Sequence, residues 1–114
     1  MDNDLNAWGS QLRKGVLELA VLGLLADDER YGSNLVDTLA SHRALAITAG
    51  TVYPLLARLA RAGLLSTTWR ESPVGPPRKY YRLTTVGRRR LQSMTEEFAA
   101  VSAALTTILN GGSQ

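Results

Sequence analysis

The chain has no cysteine, one phenylalanine and a single histidine, His42. Without cysteine there is no disulfide framework and no thiolate metal site, and the usage fits a reducing compartment. The one histidine gives no basis for an imidazole-rich metal cluster. Ser41-His42 has no evident acidic partner, and adjacency in sequence does not supply the geometry of a catalytic triad. No glycine-rich phosphate loop is present. No apolar run reaches the ~18 residues that a membrane span requires. The opening Met1-Asp2-Asn3-Asp4 is acidic and lacks the basic segment of a signal peptide. These absences point to a soluble, cytoplasmic protein that is not an enzyme and has no cofactor, no metal and no membrane partner.

The length of 114 residues suits one domain. So short a chain buries a modest share of its surface, and pairing with a second copy would stabilise it. The net charge of +3 conceals a stronger division. Residues 1–40 carry three basic and seven acidic side chains; residues 41–90 carry ten basic side chains against Glu71 alone; residues 91–114 carry only Glu96 and Glu97. A basic middle between acidic flanks suggests one face shaped for a polyanion, with an arginine-rich solvated surface as the alternative.

Residues 12–25 are too continuously apolar for a surface helix and predict a buried one over about 10–26. Asp27-Asp28-Glu29 reads as a polar turn able to cap the next helix. That helix, about 31–42, carries Leu35, Val36 and Leu39 at helical spacing. Thr48 stands as an N-cap to a third helix, about 49–62, whose Val52, Leu55, Leu56 and Leu59 form a one-sided stripe. Gly63 ends it. Pro54 lies inside and removes a backbone donor, which predicts a bent or loosened first part. Residues 64–70 and 78–83 alternate as strands around the turn-rich Glu71–Pro77, and predict a hairpin with a mobile tip. Thr84 caps a last helix over about 85–109, and residues 111–114 are expected to fray.

Three helices followed by a hairpin make a winged helix-turn-helix: mainly α, with a small β-hairpin. In such a fold the third helix enters the major groove of double-stranded DNA and flanking parts hold phosphates. The outward side of helix 49–62 offers Gly50, Thr51, Tyr53, Pro54, Ala57, Arg58 and Arg61, with no acid among them. Thr51, Tyr53 and Pro54 are placed nearest bases or sugars, and Arg58 and Arg61 nearest phosphates. Thr48 and Gly50 open the same face. Arg70, Arg78, Lys79 and Arg82 make the hairpin basic, and Arg78, Lys79 and Tyr80 directly follow its tip. Arg88-Arg89-Arg90 opens the last helix against its dipole, a cost compatible with a nearby phosphate or with simple tolerance.

In the last helix Leu91, Met94, Phe98, Val101, Leu105 and Ile108 recur at spacings of 3, 4, 3, 4 and 3. This heptad seam asks for another helix along its whole length. That partner is either the first helix of the same chain or a second copy; three helices and a sheet already fill a core of this size, so the seam is read as a homodimer interface. Residues 1–84 then form the DNA-binding unit and residues 85–110 a dimerisation helix packed into the same body. A two-fold dimer sets two recognition helices on successive major grooves, roughly 34 Å apart, and predicts a palindromic operator.

Leu12-Arg13-Lys14-Gly15, Leu22-Gly23-Leu24-Leu25, Tyr31-Gly32, Gly50-Thr51-Val52-Tyr53-Pro54-Leu55-Leu56, Gly63-Leu64-Leu65 and Arg78-Lys79-Tyr80-Tyr81-Arg82-Leu83-Thr84, in this order, resemble the PadR family of bacterial transcriptional regulators. The match runs over about residues 11–90. It implies a winged-helix dimer, usually a repressor, often released by a small effector, here of aromatic or cationic type. The single final helix is similar to the smaller subfamily, in which the first and last helices build the dimer; the resemblance thereby adds Leu12 and Val16 of the first helix to the interface. Trp8 and Phe98 are then candidates to line an effector pocket between subunits, with plain interface packing as the alternative. Asn34 departs from the pattern, where an acid is common, as does Ala60.

Overall fold

The computed structural model describes the backbone of residues 2–111 and the side chains of residues 7–111. Helix α1 spans Asp2–Leu24, followed by strand β1 (Arg30–Tyr31), helix α2 (Gly32–Ala40), a 3-10 turn (Arg43–Leu45) and helix α3 (Ala49–Arg61). Strands β2 (Leu65–Arg70) and β3 (Arg78–Leu83) lead into helix α4 (Thr85–Leu109). The expected frayed end falls mostly on residues 112–114, outside the described residues.

The four helices and the hairpin stand where periodicity placed them, with two differences. Helix α1 begins some eight residues earlier than the apolar pattern indicated. The sequence ahead of Leu12 is mostly polar and offers no apolar rhythm to read. The hairpin is also not alone. Arg30 and Tyr31 pair antiparallel with Tyr81 and Tyr80 of β3, giving a three-stranded sheet in the order β1-β3-β2. Two residues carry too little alternation to announce a strand.

The core is apolar throughout. Leu17, Val21, Leu22 and Leu25 of the first segment meet Leu35 and Leu39 of α2 and Val52, Leu55, Leu56 and Leu59 of α3. Leu64, Leu65, Tyr81 and Leu83 close it from the sheet, and no polar side chain is buried among the described residues. Helix α4 enters through Gly87, which is buried, and through half-buried Leu91 and Met94. Beyond Met94 it leaves the core. The radius of gyration is accordingly 16.5 Å, against about 13 Å for a compact chain of this length.

The junction between α3, the sheet and α4 is built on Thr84. Its hydroxyl accepts from the Gly87 amide at 3.0 Å and lies 2.7 Å from the Gly63 carbonyl, to which it donates. One side chain thus caps α4 and ties it to the end of α3. Gly63 turns the chain at φ +82°, and the Leu64 amide returns to the Leu59 carbonyl at 3.0 Å, which satisfies the helix end.

Candidate nucleic-acid interface

Helix α3 is two-sided. Val52, Leu55, Leu56 and Leu59 are buried, while Gly50, Thr51, Tyr53, Pro54, Arg58 and Arg61 are exposed along the other side, together with Thr48 just before it. The helix runs unbroken through Pro54. The amide lost there would have served the Gly50 carbonyl, and Gly50 is exposed, so the lost bond does not fall in the core. Thr48 is the N-cap residue, but its side chain accepts no amide. Its carbonyl takes the Thr51 and Val52 amides at 3.0 and 3.1 Å, while its hydroxyl lies 3.3 Å from that of Thr51. The two hydroxyls are therefore paired on the exposed face rather than spent on the helix end, which corrects the capping role assigned to Thr48.

Tyr53 lies over Gly32. A Cβ at Gly32 would stand 2.6 Å from the Tyr53 ring, so the absence of a side chain at the start of α2 admits the aromatic ring. Tyr53 also lines an open cavity of about 320 Å³ with Tyr31, Ser33, Trp69, Arg78, Lys79 and Tyr81. Helix α3 and the wing thus share one aromatic, cationic hollow. Of its members, Tyr31, Ser33, Trp69 and Tyr81 are not among the site residues that the sequence suggests. Tyr31-Gly32 was visible as a motif, but its reason, the seat for Tyr53, required the fold. Burial pushes the Tyr81 phenol pKa up, and the neighbouring Tyr53 adds to that shift.

The wing cations are held by rings. The Arg78 guanidinium sits 4.3 Å from the Tyr31 ring centre and that of Arg70 sits 4.9 Å from Tyr80. Tyr31 and Tyr80 meet edge to face with centres 5.4 Å apart. The Lys79 ammonium lies 5.9 and 5.8 Å from the Trp69 and Tyr81 rings. Such stacking leaves the cations charged while restricting their motion. Strand alternation sets Tyr80 apart from Tyr81: Tyr80 lines a second hollow with Asp28, Glu29 and Asn34.

The acidic turn takes a role that sequence did not indicate. Helix α2 has Tyr31 as N-cap with no side-chain bond, so Asp27-Asp28-Glu29 does not cap it. Glu29 instead pairs with Arg70 and Arg82 of the wing, the second at 3.2 Å. Asn34, at the position where an acid is common, accepts from Arg30 at 2.9 Å. The arginine run opening α4 also turns inward in part. Arg88 donates to the Ala26 carbonyl at 3.0 Å, and Arg90 lies 3.5 Å from Glu18 of α1. Glu18 is also 3.8 Å from Arg58 of α3.

The heptad seam is uncovered in the single chain. Phe98, Val101, Leu105 and Ile108 expose about half or more of their surface, as does Leu12 of α1; Leu91, Met94 and Val16 are half-buried. Val16, Met94, Phe98 and Val101 share a hollow of about 220 Å³ between α1 and α4; Trp8, 66% exposed, is not among its lining residues.

Among the described residues no helix is long and apolar enough to cross a membrane, and no cluster of metal-ligating side chains occurs. The family model described as "Transcriptional regulator PadR-like family" matches residues 21–93, which takes in α2, α3, the whole sheet and the start of α4. The chain belongs to the PadR-like family. This is a family of transcriptional regulators, not of enzymes. Among solved structures, the PadR family transcriptional regulator of Eggerthella lenta is 35% identical, with TM-score 0.83, and the match covers 95% of this chain and 94% of that one. Among curated relatives, the transcriptional regulator Rv3488 of Mycobacterium tuberculosis is 33% identical over 103 residues, covering 90% of this chain and 92% of its own. The structure of Bacillus subtilis PadR in complex with operator DNA matches with TM-score 0.64 and 25% identity, covering 70% of this chain and 45% of that one. The winged-helix reading of this PadR-like chain therefore holds, with the sheet enlarged to three strands.

Proposed function

We propose that this PadR-like regulator is a repressor that binds a palindromic operator as a homodimer. The observation that carries the reading is the exposed side of α3, where Thr51, Tyr53, Pro54, Arg58 and Arg61 lie together on a helix that carries no acidic residue of its own. Beside it stands a wing whose Arg78 and Lys79 are already ordered by aromatic rings. The likeness to a regulator solved in complex with operator DNA supports duplex DNA as the partner. In this reading Thr51, Tyr53 and Pro54 approach base edges and sugars at the head of the helix. Thr48 and Gly50 flank them, and Arg58, Arg61, Arg78 and Lys79 neutralise phosphates. Tyr80 serves by holding Tyr31 and Arg70.

The dimer is argued from the apolar seam. Phe98, Val101, Leu105 and Ile108 form an exposed stripe on a helix that has left its own core. A second copy, crossing α4 and α1 about a two-fold axis, removes that stripe from water. Helix 85–110 is then the dimerisation element of one compact unit. The hollow at Val16, Met94 and Phe98 lies at that junction and suits a small aromatic or cationic effector that releases the operator.

The test is a footprinting and gel-shift titration on promoter fragments recovered with the protein. The expected result is protection of a two-fold sequence at nanomolar concentrations, with affinity falling steeply as salt rises. Arg58→Ala weakens binding by roughly tenfold and lowers the salt slope by about one, without unfolding the chain. Binding indifferent to salt, or to Arg58→Ala, contradicts the reading.

A further inference from the structure

Glu18 of α1 stands where three helices meet. One carboxylate oxygen is 3.8 Å from Nη1 of Arg58 on α3, and the other is 3.5 Å from Nε of Arg90 on α4. Lys14 and Arg61 line the same cavity, and Glu18 is the only acid among its lining residues. We propose that Glu18 tempers DNA binding by competing for Arg58: it pairs with Arg58 in the free protein and yields it to a phosphate when a duplex arrives. The inference rests on the reading, given above, that Arg58 meets phosphate.

Three observations carry it. The side chain of Glu18 is 19% exposed and that of Arg58 is 61% exposed, so the carboxylate is sheltered while the guanidinium is open to solvent. A charge-assisted hydrogen bond closes to about 2.7–2.9 Å. At 3.8 Å the pair attracts without fixing the direction of the guanidinium. Glu18 therefore competes for Arg58 rather than aiming it. Finally, Arg90 stays on the second oxygen when Arg58 departs, so the half-buried carboxylate is not left unpaired. The exchange exposes no orphan charge. Its cost is affinity, because phosphate must outbid a carboxylate and because a negative group remains near the duplex.

Glu18→Gln removes the competitor and keeps the shape. The probe is a labelled 30-base-pair duplex of arbitrary sequence (~30 pairs covers a dimer footprint with half-sites one turn apart), followed by fluorescence anisotropy across a salt series. The expected gain for Glu18→Gln is three- to tenfold in affinity, on the order of one lost ion-pair competitor, with the salt slope unchanged. In an Arg58→Ala background the same substitution changes affinity less than about twofold. Glu18→Asp, which draws the charge back from Arg58, gives a smaller gain of the same sign and serves if the Gln variant folds poorly. A fall in affinity, no change, or an equal gain in the Arg58→Ala background each overturns the inference. If Arg58→Ala weakens binding and Glu18→Gln does nothing, the inference falls and the DNA-binding reading stands. If Arg58→Ala binds as tightly as the parent, both fall.

Discussion

The ring of Tyr53 on α3 rests against the bare backbone of Gly32 at the start of α2, where a Cβ would stand 2.6 Å from Cε1. Gly32 has no left-handed conformation to protect, so the requirement is one of space alone. Gly32→Ala gains helix propensity and displaces Tyr53. The expected result is a melting temperature within a few degrees of the parent and an operator affinity reduced by about 1–3 kcal/mol, the worth of one good contact. Thermal denaturation and a gel shift on the same preparations check it; an unchanged affinity would remove Tyr53 from the interface.

Gly87 is the opposite case, since a Cβ there collides with the carbonyl oxygen of Leu64 and stands 3.1 Å from Leu83 Cδ2. Backbone cannot rotate out of the way as a flexible side chain can. Gly87→Ala is expected to destabilise by about 2–3 kcal/mol, as overpacking does, and to lower the melting temperature by roughly 10 °C or more.

The threonines at the two N-cap positions separate stability from binding, since only Thr84 caps with its side chain. Thr84 accepts from Gly87 and donates to Gly63, whereas the Thr48 hydroxyl meets only that of Thr51 among the described residues. Thr84→Ala should cost about 1–2 kcal/mol in denaturant unfolding. Thr48→Ala should cost under about 0.5 kcal/mol, typical of an exposed site, while weakening operator binding.

Leu105 is 51% exposed and lies outside the core, on the part of α4 beyond Met94. Leu105→Asp places a charge in the proposed seam. Sedimentation should show a monomer at micromolar concentration, with circular dichroism still reporting a folded winged helix, and operator binding should be lost with the dimer. A variant that remains dimeric would put the interface elsewhere.

Burial raises the Tyr81 phenol above its ordinary value of 10.0, with Tyr53 adding to the shift. The folded chain therefore holds this proton more tightly than the unfolded chain. The resulting stability is complete below about pH 10 and is lost as pH rises through the higher folded value. Unfolding free energies measured across that range should fall with pH in the parent and fall less in Tyr81→Phe.

The helices, the hairpin and the basic face of α3 were legible in the chain because each is written in local periodicity. Val52, Leu55, Leu56 and Leu59 name the buried side of α3 whatever surrounds it, and the stripe from Leu91 to Ile108 names a seam. A side chain's facing direction depends on the residues within a turn or two of it. Pairings across the fold carry no such signal. Arg82 finds Glu29 from 53 residues away, and Arg88 finds the Ala26 carbonyl from 62. Strand β1, the seat of Tyr53 on Gly32, and the sharing of Glu18 between Arg58 and Arg90 belong to the same class. Each exists only once the chain has returned on itself, because a charge or a ring selects its partner by distance in space, and distance in space is what packing decides.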